Sequence, residues 1–349
     1  MSGSSVDGID LACCEFRLLK RGWDFQILAA ETFPYPARLA TILNEAIHWP
    51  EKKIVALDLE LGRYFASVIN GFHAKYNLQP ELIASHGHTI WHDPSQGITL
   101  QVGNGAEMAQ LTGIPVVNDF RKEDVAQGGQ GAPLVPIGDR LLFGEYGACL
   151  NLGGIGNISY EDFSGQRLAF DICPVNMALN WVANQMGQPY DSEGKIGRSG
   201  RAIISLVEQL NKLEFYGVPA PRSLGREWFI QQLQPLLGHP SIAGSDLMAT
   251  LAEHIAFQIG NAIRLSEAER ILVTGGGVFN RFLVERIQEH TRALLVVPDR
   301  QLVEFKEALI FALLGLLRTR GEINCLSSVT GGRKDLSTGF IHLPKKLIQ

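Results

Sequence analysis

Three glycine-rich turns carry the residue types that hold phosphate. Gly3-Ser4-Ser5-Val6-Asp7-Gly8 precedes an expected strand. Backbone N–H groups and two hydroxyls in such a turn can wrap phosphate oxygens, and Asp7 or Asp10 can hold Mg²⁺ directly or through water. The second turn, Asn151 to Asn157, lies between two expected strands and keeps the amides of Gly153, Gly154, Gly156 and Asn157 clear of bulky side chains. The third contains Gly275, Gly276 and Gly277 between a strand and a helix, where a helix amino terminus and bare backbone suit a nucleotide. Each turn alone reads equally well as a surface turn, a hairpin connection or a tight corner. Their distribution over both halves of the chain favours a phosphate ligand, such as a nucleotide. No GxxxxGK[ST] segment occurs, so the site is not a Walker A loop.

The run SHGHTIWH places His86 and His88 on one strand face with His92 nearby, but a metal centre needs a third and fourth ligand that this segment does not supply. Cys13, Cys14, Cys149, Cys173 and Cys325 contain no CxxC pair, which disfavours a disulfide framework or a structural zinc and predicts that most are buried free thiols.

The elements that must position these turns follow from hydrophobic spacing. Residues 9–16 and 23–33 read as strands, and Leu57, Leu61, Phe65, Val68, Phe72 and Tyr76 recur as on one helix face. Strands at 82–85, 98–102 and 114–118 follow, with a helix at 106–111 stopped by Gly113. The second half opens with strands at 148–152, 157–161 and 167–172, then helices and strands alternate: helix 176–186, helix 247–265, strand 270–274, helix 279–289, strand 294–297 and helix 304–320. Antiparallel strands followed by alternating helices and strands, twice over, predict an α/β protein of two RNase H-like lobes of the actin-like ATPase kind, with a nucleotide and substrate cleft between them. The boundary is expected at the glycine- and proline-rich 128–138 stretch. This gives lobes 1–138 and 139–349, the last helix and tail being able to pack back on the first lobe.

A chain of 349 residues is long enough for two such cores. A net charge of −5 disfavours nucleic acid and anionic membranes as partners. The longest apolar run, 308–317, is about half of a membrane span. The start MSGSSVDGID lacks the basic and apolar stretches of a secretory signal, which predicts a cytoplasmic protein.

In their order along the chain, these segments resemble the anhydro-N-acetylmuramic acid kinase family. The phosphate turn MSGSSVDGID is similar to that family's MSGTSxDGxD. Further matching blocks are Ser85-His86-Gly87, Gln101-Val102-Gly103-Asn104, Asp119-Phe120-Arg121, GGQGAPLVP from Gly128, NLGGIGN from Asn151, Phe170-Asp171, the glycines 275–277, Glu307-Ala308 and the 327–331 segment. Together the blocks span nearly the whole chain.

The resemblance implies a kinase using ATP and Mg²⁺ on an amino sugar: water opens the 1,6-anhydro bond of anhydro-N-acetylmuramic acid while O6 takes the γ-phosphate, in recycling of peptidoglycan. It implies Asp171 as the catalytic carboxylate that draws a proton from water, with an Asp capping the next helix as the simpler alternative. It further implies Arg121, Gln130, Asn176 and Glu307 at the sugar. Arg121 would make a two-point grip on the lactyl carboxylate; alternatively it pairs with Glu123 or Asp124, and Glu307 would sit in a helix first turn for its dipole. Similar proteins are often homodimers.

The sequence also departs from the family. The family's FDTGPGN stands here as Phe170-Asp171-Ile172-Cys173-Pro174-Val175-Asn176, which predicts bulk beside the carboxylate and a reshaped sugar pocket, and His88 replaces a usual Gln. A short apolar strand normally precedes the phosphate turn, whereas this sequence begins at Met1, which predicts an open sheet edge. These departures leave two further readings: a kinase of the same fold for another sugar, or a non-catalytic binding or regulatory homologue.

Overall fold

The computed structural model describes residues 1–3, 6, 8–238 and 242–345. It is a mixed α/β protein that divides into two units. One comprises Met1–Leu142 together with Phe305–Gln349, and the other Phe143–Glu304. The division thus falls at Leu142/Phe143, and the chain from Phe305 onward groups with the first unit.

In the first unit β1 (Gly8–Leu19) and β2 (Gly22–Pro34) form a long antiparallel hairpin. Helix α1 (Ala37–Glu45) and the long α2 (Glu51–Tyr76) follow. Leu57, Leu61, Phe65 and Phe72 of α2 are buried as their spacing predicts, whereas Tyr76 is exposed. Then come β3 (Ile83–Ala84), the antiparallel pair β4 (His88–Asp93) and β5 (Ile98–Val102), α3 (Gly105–Thr112) and β6 (Val116–Asn118). Asn104 caps α3 by accepting the N–H of Glu107 at 2.9 Å. Helices α4 (Lys122–Ala126) and α5 (Val135–Leu142) close this stretch.

In the second unit β7 (Ala148–Leu152), β8 (Ile155–Glu161) and β9 (Arg167–Pro174) form an antiparallel meander. Helix α6 (Asn176–Gln185) leads through short helical segments to α7 (Gly244–Ser266), then β10 (Arg270–Thr274), α8 (Arg281–Glu289) and β11 (Leu294–Val296). The sheet order β11-β10-β7-β8-β9, with β10 and β11 parallel to β7, is that of an RNase H-like sheet. Its core gathers Leu150, Leu152, Ile158 and Phe170 from the sheet, and Leu251, Ile255 and Ile259 from α7.

The chain returns to the first unit along α9 (Arg300–Thr319) and ends in β12 (Phe340–His342), which pairs with β6. The first unit departs from the expected single RNase H-like sheet. Among the described residues its strands lie in separate sheets, β1-β2, β12-β6-β3 and β4-β5. Strand β3 is only two residues long, and among the described residues β1 pairs along its length with β2 and otherwise pairs only with Met1 and Ser2, through an isolated bridge at Ile9, so no ladder joins hairpin to sheet. A cavity of about 590 Å³ lies where they face each other, lined by β1, β3, α2 and Phe311 and Ala312 of α9. No helix among the described residues is long and apolar enough to cross a membrane.

Candidate active site

Two of the three glycine turns fold against each other in the second unit. A Cβ at Gly275, whose φ is +84°, would approach Asn151 Oδ1 to 2.5 Å and the Leu152 backbone to 2.8 Å. One at Gly277 would approach Leu152 Cβ to 2.7 Å. These two glycines therefore let the 274–280 turn lie on the end of β7. Gly154 and Gly276 differ: both are exposed, neither has a positive φ, and a Cβ at Gly154 would meet nothing within 4 Å while one at Gly276 would meet only Asn176 Nδ2 at 3.9 Å. Neither packing nor backbone conformation calls for glycine there. A ligand approaching the bare backbone supplies a reason, so this pair of turns fits a nucleotide phosphate chain.

Asn176 ties the same turns together. Its side chain donates to Leu152 O at 3.1 Å, and its backbone N–H donates to Gly153 O at 3.1 Å. It is thus placed at the glycine turns through bonds to the end of β7. Gly156 and Asn157 sit on β8, where a Cβ on Gly156 would strike Val175 at 2.8 Å. The third turn itself includes a 3-10 segment, Gly276–Phe279, and α8 begins only at Arg281, capped by Asn280 accepting the Leu283 N–H at 2.9 Å.

Asp171 lies inside β9, opposite Asn157, where a bulge at the Gly156/Asn157 step shifts the register. It caps no helix, since the N-cap of α6 is Val175. Its backbone N–H donates to Arg222 O at 2.9 Å, and its Oδ2 accepts the Leu224 N–H at 2.8 Å. Among the described residues its Oδ1 receives no protein hydrogen bond, which leaves an acceptor for a water proton. Burial pushes its carboxyl above the usual aspartate range, opposed by the Leu224 bond. A base so raised holds a proton more readily than an ordinary aspartate does.

The proline-rich segment before Leu224 was not singled out by sequence, yet it holds the carboxylate. Arg222 Nη1 donates to Val218 O at 2.6 Å and to Tyr216 O at 3.2 Å, and the guanidinium lies 4.7 Å from the Phe215 ring centroid. Nothing in the spacing of 218–225 signals this role, because the segment meets Asp171 only through tertiary folding.

The bulky departures beside Asp171 do not line a pocket. Ile172, Cys173 and Val175 are each 0% exposed and belong to the core of their unit. The register shift falls at this point of β9; these side chains fill core volume, and Asp171 and Asn176 are the half-buried groups of the 170–176 stretch. Burial pushes the Cys173 thiol far up, which makes it a packing residue and no nucleophile. All five cysteines are free, with Cys13 and Cys14 partly accessible and the others buried.

The first unit assembles a second group of expected residues. Arg121 donates through Nε at 3.0 Å and Nη2 at 2.9 Å to His86 Nε2, and through Nη1 at 2.7 Å to Gly131 O. It forms no side-chain pair with Glu123 or Asp124 among the described residues. Because Arg is only a donor, His86 Nε2 must accept, so the proton sits on Nδ1 and is donated to Gly87 O at 3.0 Å. Burial, then the Arg121 charge, hold His86 well below its usual range and neutral. Three of the five guanidinium N–H groups are thereby engaged, and the two left are one on Nη1 and one on Nη2. One N–H on each terminal nitrogen is the donor set that a two-oxygen carboxylate takes.

Glu307 is close enough for its charge to act on Arg121. It stands eighth in α9, which begins at Arg300, so the helix-dipole explanation for a first-turn Glu does not apply. Gln130 is exposed, its backbone N–H bound to Thr330 O at 2.8 Å.

Of the first turn, Ser4, Ser5 and Asp7 lie outside the described residues. Gly3 is exposed and accepts the Val6 N–H at 3.2 Å, while Gly8 is needed for packing, since a Cβ there would strike Phe33 O at 2.6 Å. Asp10 Oδ1 accepts from Thr32 Oγ1 at 2.5 Å. No group of three metal-ligating side chains occurs among the described residues. His88 instead bonds Ser2 Oγ at 2.9 Å and His92 bonds Thr99 at 3.0 Å. A lone carboxylate such as Asp10 fits Mg²⁺, which is commonly held by one or two carboxylates together with substrate phosphates and water.

The model of the anhydro-N-acetylmuramic acid kinase family matches residues 1–344. An anhydro-N-acetylmuramic acid kinase of Sulfurimonas denitrificans is 33% identical over 98% of this chain and 98% of its own length. One of Crocosphaera subtropica is 35% identical over 99% of this chain and 98% of its own. Among solved structures, the activator of 2-hydroxyisocaproyl-CoA dehydratase from Clostridium difficile with bound ADPNP is 12% identical, covers 89% of this chain and 96% of that one, and has a TM-score of 0.43.

Proposed function

We propose, since the chain belongs to the anhydro-N-acetylmuramic acid kinase family, that it opens the 1,6-anhydro bond of anhydro-N-acetylmuramic acid with water and phosphorylates O6 from ATP. The product is N-acetylmuramic acid 6-phosphate, an intermediate of peptidoglycan recycling, and the setting is the cytoplasm. The enzyme is a kinase, a phosphotransferase with an alcohol group as acceptor.

In this reading water attacks the anomeric carbon, C1, and Asp171 takes its proton. The C1–O6 bond breaks, O6 takes the γ-phosphoryl group, ADP leaves, and Asp171 returns the proton to solvent. Each step balances, with one water and one ATP consumed per turnover. The turns bearing Gly153, Gly154, Gly156, Asn157 and Gly275–Gly277, and the Gly3–Gly8 turn with Ser4 and Ser5, hold the nucleotide. Mg²⁺, held from Asp7 and Asp10 directly or through water, would neutralise charge on the transferring phosphate. Arg121 grips the lactyl carboxylate end-on, and Gln130 and Glu307 take sugar hydroxyls.

The observation that carries the reading is Asp171 itself: half-buried, oriented by the Leu224 N–H, with Oδ1 available. The experiment is ADP release with ATP and Mg²⁺, with and without the anhydro sugar, for the native chain and Asp171→Asn. Sugar-dependent turnover lost in the variant supports the assignment. Turnover that survives the substitution, or that ignores the sugar, refutes it.

A further inference from the structure

We propose that Asp124 is a positioning residue for the Arg121 fork, acting through the peptide of Gly131; the inference rests on the reading of Arg121 as the group that grips the sugar carboxylate. Asp124 is 0% exposed and forms no salt bridge among the described residues. A buried carboxylate without a cation is costly unless hydrogen bonds satisfy it. Its Oδ2 accepts the Gly131 N–H at 2.7 Å and its Oδ1 accepts Thr330 Oγ1 at 2.8 Å. The surroundings are built for it: a Cβ at Gly129 would fall on the carboxylate, and one at Gly332 would come to 2.8 Å from Oδ1.

Gly131 links this anchor to the site. Its N–H is tied to Asp124, while its carbonyl accepts Arg121 Nη1 at 2.7 Å. Gly131 has a φ of +65°, and a Cβ there would meet Val125 at 2.7 Å and Arg121 Cβ at 3.3 Å, so the turn lies directly on the arginine it supports. Thr330 adds a second tie, since its carbonyl accepts the Gln130 N–H at 2.8 Å while its hydroxyl holds Asp124.

The fork's aim therefore depends on two supports of different origin. His86 fixes the Nε and Nη2 edge, and the Asp124–Gly131 pair fixes Nη1. Without the carboxylate, the Gly131 peptide can rotate and Nη1 swings with it. Binding of a flat, two-oxygen group suffers most from such a swing, and contacts elsewhere on the ligand suffer little.

The test compares the full-length enzyme with Asp124→Asn and Arg121→Ala, using two ligands: the anhydro-muramic sugar and 1,6-anhydro-N-acetylglucosamine, which lacks the lactyl carboxylate. Affinities are measured by calorimetry alongside KM for ATP. Asp124→Asn is expected to weaken the carboxylate-bearing sugar by roughly tenfold, with the other sugar and the ATP KM nearly unchanged. Equal weakening of both sugars and ATP would show a merely structural role and overturn the inference. Arg121→Ala separates the two readings: if it fails to discriminate between the sugars, the Arg121 assignment itself falls. If it discriminates and Asp124→Asn does not, Asp124 alone is excluded. Should Asp124→Asn fail to fold, Thr330→Val, which removes the hydroxyl donor to Oδ1, is measured in its place with the same pattern expected at smaller size and the same outcomes overturning the inference.

Discussion

The backbone N–H of Leu224 donates to Oδ2 of Asp171 at 2.8 Å across 53 residues of sequence. This bond fixes one carboxylate oxygen and leaves the other for chemistry, so the geometry of the proposed base is set by a loop that follows it far along the chain.

Asp171→Asn should remove turnover by a factor of roughly 10²–10⁴, because Asn can keep the Leu224 bond but cannot take a proton. The same variant should be at least as stable as the native chain at pH 7.5. Asp171 ionises with a folded-state pKa above its unfolded value, so the ionised group opposes folding at neutral pH, and that opposition fades as pH falls toward the unfolded value. Thermal melts at pH 7.5 and pH 4.5 check this; a variant markedly less stable at pH 7.5 would contradict it. The acid limb of kcat/KM in the native enzyme should also lie above the ordinary aspartate range.

Gly154→Ala and Gly276→Ala should melt within about 0.5 kcal/mol of the native protein, since a methyl at either position has open space. Their KM for ATP should rise if, as proposed, that space is where the phosphates approach. Gly277→Ala should behave oppositely in the melt and lose about 1–3 kcal/mol, its Cβ landing 2.7 Å from that of Leu152. An unchanged KM for ATP in both open-space variants would count against the nucleotide assignment of these turns.

Cys173→Gly should cost about 2 kcal/mol through lost packing and added backbone freedom, while the KM for the sugar stays within twofold. The side chain is wholly buried in the core and its thiol is held protonated. A large change in sugar KM at unchanged stability would instead place the residue at the pocket.

Stability should fall on the acid side of neutrality through His254. Its Nδ1–H donates to Asn211 Oδ1 at 2.6 Å and its Nε2 accepts the Tyr216 hydroxyl at 2.9 Å. Burial pushes its pKa down to about 3, from 6.5 when exposed. Between those values the unfolded chain binds a proton that the folded chain does not, so stability drops by about 1.4 kcal/mol for each pH unit lost. The neutral, buried His86 acts in the same direction. Denaturant unfolding from pH 6.5 to 4 should therefore show a slope that His254→Gln reduces by about one proton; an unchanged slope would exclude His254 as a linked group.

Much of the second unit was readable in the sequence. Its strands alternate or run apolar at the spacing a sheet needs, its glycine turns separate them, and α7 carries a strong apolar face, so local pattern and tertiary order agree. The glycines 275–277 stood out for the same reason, as a turn between a strand and a helix, while Asp171 was singled out through the family resemblance. The first unit was less readable: strands at 82–85 and 114–118 were expected, but whether they join the β1–β2 hairpin in one sheet depends on edge pairing, which no local pattern encodes.

The amino-acid sequence by itself carried the motif blocks that resemble the family, and its short-range spacing gave the α/β class and the residue types available for phosphate, carboxylate and proton chemistry. Only the tertiary structure decided which of those residues are held, and by what. It turned Ile172, Cys173 and Val175 into core, gave Asp171 its Leu224 partner, and tied Arg121 to His86 and Gly131 with one N–H left on each terminal nitrogen. Those outcomes rest on hydrogen bonds and packing between segments tens of residues apart, whose geometry is fixed only when the whole core closes around them.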